Sequence, residues 1–114
     1  MKMFISQPMH GRTDEDILKE RQEITSAFQN KYGVTVEVID TFTKSHEDQI
    51  KGRIWMLGGS IQLMYDADVV VFAPGFRKAK GCLIEEKVAK LYGIKRQYYL
   101  QSVKSFIYGC PVVE

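Results

Sequence analysis

The chain has little of what would assign it at once to a special class. It holds two cysteines, Cys82 and Cys110, and neither sits in a Cys-x-x-Cys or Cys/His spacing. Two thiols make no disulfide framework, and the pattern argues against a zinc site. A reducing compartment fits. No stretch approaches the ~20 apolar residues of a membrane span, and Met1-Lys2-Met3-Phe4 is not followed by the hydrophobic region of a signal peptide. A cytoplasmic location without a membrane partner is expected. Charge of one sign is scarce too. Sixteen Lys and Arg stand against 14 Asp and Glu, a net +2, with the two signs interleaved. That excess is too weak to argue for a nucleic acid polymer as partner. There are no repeats, linkers or low-complexity tracts.

What is present is ordinary for a globular chain: 45% hydrophobic and 26% charged residues, enough for one domain over residues 1–114 with a core of its own. Segments alternate between strand and helix. Residues 3–6 read as a short buried strand. Thr13 reads as the N-cap of a helix with Asp14, Glu15 and Asp16 in its first turn, where the helix dipole favours acid. Ile17, Ile24 and Phe28 recur at helical spacing, with Leu18 and Ala27 widening the stripe, and Gly33 stops the helix. Residues 34–39 are β-branched and read as a strand. Residues 40–52 are polar and aperiodic and read as a long loop, the kind that is often functional. A second helix is expected over 53–65, with Ile54, Leu57, Ile61 and Met64 inward. Gly58-Gly59 inside it costs about 1 kcal/mol per glycine relative to Ala, which predicts close approach by a ligand or by packing backbone.

Val69-Val70-Val71-Phe72-Ala73 is a five-residue apolar run ending at Pro74-Gly75. It reads as a central buried strand. A third helix is expected over 82–92, with Ile84, Val88 and Leu91 inward and Gly93 as its stop. Residues 97–100 make a last strand. Residues 101–114 give no clear element, but Phe106-Ile107-Tyr108 and Val112-Val113 are apolar enough to dock on the body or on a partner subunit.

Alternating strands and helices imply an α/β fold, a mainly parallel sheet of four or five strands with helices on both faces. Right-handed crossovers then bring the ends of the first and third strands side by side, and the crevice there is the default ligand site. It would be lined by residues 6–12, by residues 74–81 and by the start of the third helix. Ser6, Gln7 and Arg12 offer side-chain donors to an anion in the first loop, and Gly11 allows unusual dihedrals. The loop is neither a Walker nor a Rossmann glycine motif, and a plain strand–helix turn is the competing reading. His10 is either a solvated histidine or a proton donor to phosphate. Arg77, Lys78 and Lys80 form the densest basic cluster, a solvated loop or a phosphate clamp. Phe42, Trp55 and Phe76 could stack on a flat base or belong to the core, with Phe76 expected to be the most exposed. His46-Glu47-Asp48 is better read as a solvated loop than as a metal site.

Glu85 is the strongest candidate for chemistry. It is expected in the first turn of the third helix, where the dipole would keep it ionised as a nucleophile or base, with Glu86 taking the capping role. A capping or dipole role for Glu85 itself is the plainer alternative.

Several segments, taken in order, resemble the nucleoside 2-deoxyribosyltransferase superfamily, and more closely its small phage- and prophage-associated branch. They are Phe4-Ile5-Ser6-Gln7-Pro8-Met9-His10-Gly11-Arg12-Thr13, Leu57-Gly58-Gly59-Ser60, the strand through Ala67 to Gly75, Ala79-Lys80-Gly81-Cys82-Leu83-Ile84-Glu85 and Ala89-Lys90-Leu91-Tyr92-Gly93-Ile94. The resemblance implies a flavodoxin-like doubly wound sheet, a homo-oligomer and no cofactor. It also implies a Gly-x-x-x-Glu turn, here Gly81 and Glu85, whose carboxylate attacks C1′ of a 2-deoxynucleoside or its 5′-monophosphate. Ser6, Gln7, Met9, His10, Gly11 and Arg12, with Ser60, Pro74, Gly75, Phe76 and Gly81, would then contact substrate. The chain departs from the family at three helper positions. Phe4 stands where the transferases carry a tyrosine, Ser60 where an acidic residue lies near the sugar, and Ala79 where the transferases carry an aspartate. Base exchange, hydrolysis and a non-catalytic, nucleotide-sequestering module all stay open.

Overall fold

The computed structural model describes residues 1–40 and 49–109, with the side chains of 49–56 outside that description. The chain forms an α/β fold around a five-stranded, mostly parallel sheet. In chain order the elements are β1 (Lys2–Ser6), α1 (Asp14–Tyr32), β2 (Glu37–Val38), α2 (Gln49–Met64), β3 (Val69–Phe72), α3 (Lys80–Leu91), β4 (Arg96–Leu100) and β5 (Ser105–Tyr108). The strand order is β2-β1-β3-β4-β5. β1 and β3 are parallel neighbours with Ser6 opposite Phe72, so their carboxyl ends meet as expected. No helix among the described residues is long and apolar enough to cross a membrane.

Period-two alternation gives each strand two faces. Met3, Ile5, Val69, Val71, Tyr99 and Phe106 point to the α1 side, where they meet Ile24 and Phe28. Phe4, Val70 and Phe72 point the other way, onto Met64, Phe76, Cys82 and Ala89. Val69, Val70, Val71 and Phe72 are 1% exposed or less. Each such side chain contributes about 1.5–3 kcal/mol by leaving water, so the β1–β3 pair is anchored from both faces of the sheet.

α1 forms as its caps dictate. The Thr13 side chain accepts the Asp16 N–H, and Gly33 closes the helix at φ 63 by donating to the Gln29 carbonyl. Its buried stripe is Ile17, Arg21, Ile24 and Phe28, while Leu18 is half exposed. β2 is shorter than expected: only Glu37 and Val38 pair with β1. α2 begins at Gln49, inside the stretch expected to be loop, and residues 41–48 of that stretch lie outside the described residues. Gly58 and Gly59 do not face a close neighbour. Both are exposed, and a Cβ on either would meet no described atom within 4 Å.

The chain after β4 turns back within four residues, 101–104, with Lys104 at φ 49. A turn that short cannot carry a crossover, so β5 pairs antiparallel. Phe106 anchors it, edge-on to Phe28 at 5.4 Å and tilted against Tyr99 at 5.1 Å. Residues 105–108 therefore dock on the body. Residues 110–114, including Cys110, Val112 and Val113, lie outside the described residues.

Candidate active site

The site grows from the last residue of β1. Ser6 shares the α3-side face of the strand with Phe4, and its hydroxyl donates to Glu85 Oε1 at 2.6 Å. Both residues are buried, at 1% and 7% exposure. A separation that short is typical of a hydroxyl bound to a carboxylate. β1 and α3 thus bring together two residues 79 apart in sequence, at the carboxyl end of β1, where the strand order reverses direction.

Two expectations about Glu85 need correction. Residues 76–78 form a 3-10 turn that runs straight into α3, with Ala79 as N-cap, so the helix starts at Lys80. Glu85 is therefore in the second turn, beyond the reach of most of the terminal field. Nor is it held ionised. Burial pushes its carboxyl up to about 7, with the Ser6 hydroxyl and the Arg21 guanidinium acting in the opposite direction. Desolvation outweighs both favourable partners.

α3 also turns a different face inward than its apolar residues suggest. Cys82, Glu85, Glu86 and Ala89 are buried. Ile84 is 44% exposed and Leu91 68%, and Val88 is half-buried. Glu86 is not a cap: its Oε2 accepts the Tyr98 hydroxyl at 2.6 Å and lies 3.9 Å from the Lys90 ammonium. Hydroxyls from the sheet receive both carboxylates, which lets the acidic face go inside.

Cys82, not foreseen as part of the site, lies against Ser6 and Glu85. Burial pushes its thiol up to about 11, the Ser6 contact lowers it and the Glu85 charge raises it further. At neutral pH it stays a thiol and is no rival nucleophile. Arg21 was missed as well. It is buried within the apolar stripe of α1, and its Nε donates to Gln7 Oε1 at 2.8 Å. A charged residue at i+4 from Ile17 in an otherwise apolar stripe was the available signal.

The first loop does not present its donors as expected. Gln7 is buried, and its amide donates to the Ile17 carbonyl and to Glu20 Oε1, both at 2.9 Å. Arg12 Nη1 donates to the Pro8 carbonyl and to Glu20 Oε1, also at 2.9 Å each. Glu20, on the second turn of α1, accepts from both. Met9 is half-buried and its carbonyl accepts the Arg12 N–H, while His10 and Gly11 are exposed, Gly11 at φ 78. Pro74 is half-buried, and Gly75 has φ 82 with Pro8 Cγ 4.0 Å from where its Cβ would lie, so the two loops meet. Phe76 is buried rather than exposed, packed between Phe72 and Tyr98 at 5.1 and 5.3 Å. A Cβ on Gly81 would sit 3.7 Å from Leu57, which places α2 against α3 there. Ser60 is half-buried on α2 and is not among the hydrogen-bond partners of Glu85. Arg77, Lys78 and Lys80 are exposed, as a solvated loop would be. Phe42 and His46-Glu47-Asp48 lie outside the described residues, as does the side chain of Trp55. Among the described residues no group of three His, Cys, Asp or Glu side chains could hold a metal ion.

No protein-family model matches this chain, and neither a curated protein nor a solved structure matches it.

Proposed function

We propose that the protein cleaves or transfers the N-glycosidic bond of a 2-deoxynucleoside or its 5′-monophosphate, with Glu85 as nucleophile. The observation that carries this reading is the buried Ser6–Glu85 pair at the adjoining carboxyl ends of β1 and β3. Flavodoxin-like topology supports it: the order 2-1-3-4-5 is that of the doubly wound fold, here with its last strand reversed. Kinship with the nucleoside 2-deoxyribosyltransferase superfamily is part of the same proposal.

In this mechanism a Glu85 carboxylate oxygen bonds to C1′ as the C1′–N bond breaks. The base leaves with the electron pair and takes a proton from solvent. Water, or the nitrogen of a second base, then adds to C1′ and loses its proton, and the ester bond to Glu85 breaks to restore the carboxylate. Each transition state is oxocarbenium-like, as in retaining glycosidases. Ser6 orients the carboxylate, supplying from the end of β1 the hydroxyl that Phe4 lacks. Only ionised Glu85 attacks, so activity rises with pH through about 7.

The second reading is a nucleotide-binding module without turnover. Ser60 and Ala79 supply no carboxylate to help a leaving base. Chromatography of a panel of deoxynucleosides and dNMPs incubated with the protein separates the two. Base release that Glu85→Ala abolishes supports the enzyme; stoichiometric binding with no release supports the module. A homo-oligomer remains part of the proposal, with Ile84, Leu91 and Tyr92 exposed on the outer side of α3.

A further inference from the structure

A cavity of about 1000 Å³ lies where β3 and β4 begin and β5 ends, away from the carboxyl end of β1 that holds Ser6. Its lining includes Lys87, Lys90, Lys95 and Arg96, with Tyr32 and Tyr108. Glu86 is the acidic residue in that lining, and it already accepts the Tyr98 hydroxyl and lies near Lys90. Four cations against one carboxylate give the groove +3, while the whole chain carries +2. The chain's excess positive charge is thus gathered in one concave place, where opposing walls focus the field.

Backbone geometry opens the floor to the arginine. A Cβ on Gly109 would lie 2.7 Å from Arg96 Nε, so a glycine here lets the guanidinium lie along β5. Tyr108 is 70% exposed beside it. The volume is at the upper end for small-molecule sites. Lysine ammoniums and a guanidinium recognise phosphate oxygens, and a tyrosine face recognises a flat ring.

We infer that this groove is a second binding site, for a phosphorylated aromatic anion of the nucleoside polyphosphate class. The inference stands on groove residues alone and does not need Glu85 to be catalytic. α3 joins the two places, since Glu85 faces Ser6 while Glu86, Lys87 and Lys90 line the groove.

Isothermal titration with ATP, inorganic tripolyphosphate and adenosine tests it, on the wild type and on Lys87→Ser/Lys90→Ser, Tyr108→Ser and Glu85→Gln. Lys87, Lys90 and Tyr108 are exposed, so these variants keep the core. ATP is expected to bind, tripolyphosphate more weakly and adenosine weakest. The double lysine variant should weaken ATP about tenfold or more, Tyr108→Ser should weaken ATP but not tripolyphosphate, and Glu85→Gln should change neither. Absence of ATP binding at millimolar concentration overturns the inference, as does binding that the lysine changes leave intact. Equal affinity for ATP and tripolyphosphate refutes the aromatic half of the assignment. Loss of ATP binding in Glu85→Gln alone would place the ligand at the other site.

Discussion

Replacing Glu85 with glutamine should stabilise the protein, and the gain should depend on pH. The folded protein holds this carboxyl at about 7, against an ordinary 4.5, because burial disfavours its charged form. A raised acid pKa means that folding favours the proton. Stability from this group is complete below pH 4.5 and is lost as pH rises through 7. The difference of 2.5 in pKa corresponds to about 3 kcal/mol at full ionisation. Glutamine cannot ionise, is nearly isosteric, and its carbonyl oxygen can still accept the Ser6 hydroxyl. Urea denaturation at pH 4.5, 6, 7 and 8 reads the effect. Wild type and Glu85→Gln should have similar midpoints at pH 4.5. At pH 8 the variant should be more stable by up to about 3 kcal/mol, a Tm gain on the order of 10 °C for a domain of this size. A constant difference across that range, or a variant less stable at pH 8, would refute the reasoning. Activity should vanish in the same protein, since a residue held against its solvation preference is what a functional site looks like.

Other consequences follow from the same contacts. Ser6→Ala removes the donor that lowers the Glu85 pKa, so the titration midpoint of its side-chain carboxyl carbon, followed by NMR, should move above 7. Phe76→Ala should cost about 3–5 kcal/mol in urea unfolding, because the ring is core rather than a base-stacking surface. Tyr98→Phe leaves Glu86 without its 2.6 Å donor and should cost about 1–3 kcal/mol at neutral pH. In the Cys110→Ser background, Cys82 should resist iodoacetamide at pH 8 until the chain unfolds, since its thiol is buried and held near 11.

Much of the architecture was legible because a few residues speak plainly. Val69 to Ala73 could be nothing but a buried strand, Thr13 and Gly33 bracket α1, and strand–helix alternation put β1 beside β3. That order put Ser6 and the start of α3 in one neighbourhood, while no sequence pattern announced the hydrogen bond between Ser6 and Glu85. One physical cause recurs in what failed: periodicity assigns charged and polar side chains to solvent. On α3 it chose Ile84 and Leu91 for the core, whereas Ser6 and Tyr98 hold Glu85 and Glu86 inside. The same bias hid Arg21 within an apolar stripe, and made Gln7 and Arg12 look free for an anion when Glu20 already engages them. β5 escaped notice because four residues carry too little pattern, and its place depends on Phe106 meeting Phe28 and Tyr99.

The most direct test of the proposed chemistry is mass spectrometry of the protein quenched during incubation with a 2′-fluoro-2′-deoxynucleoside, whose glycosyl ester should hydrolyse slowly. The account predicts a fluorodeoxyribosyl adduct on the peptide containing Glu85, absent from Glu85→Gln, together with one equivalent of released base. Base release at an undiminished rate from Glu85→Gln, or an adduct on any other residue, would contradict it.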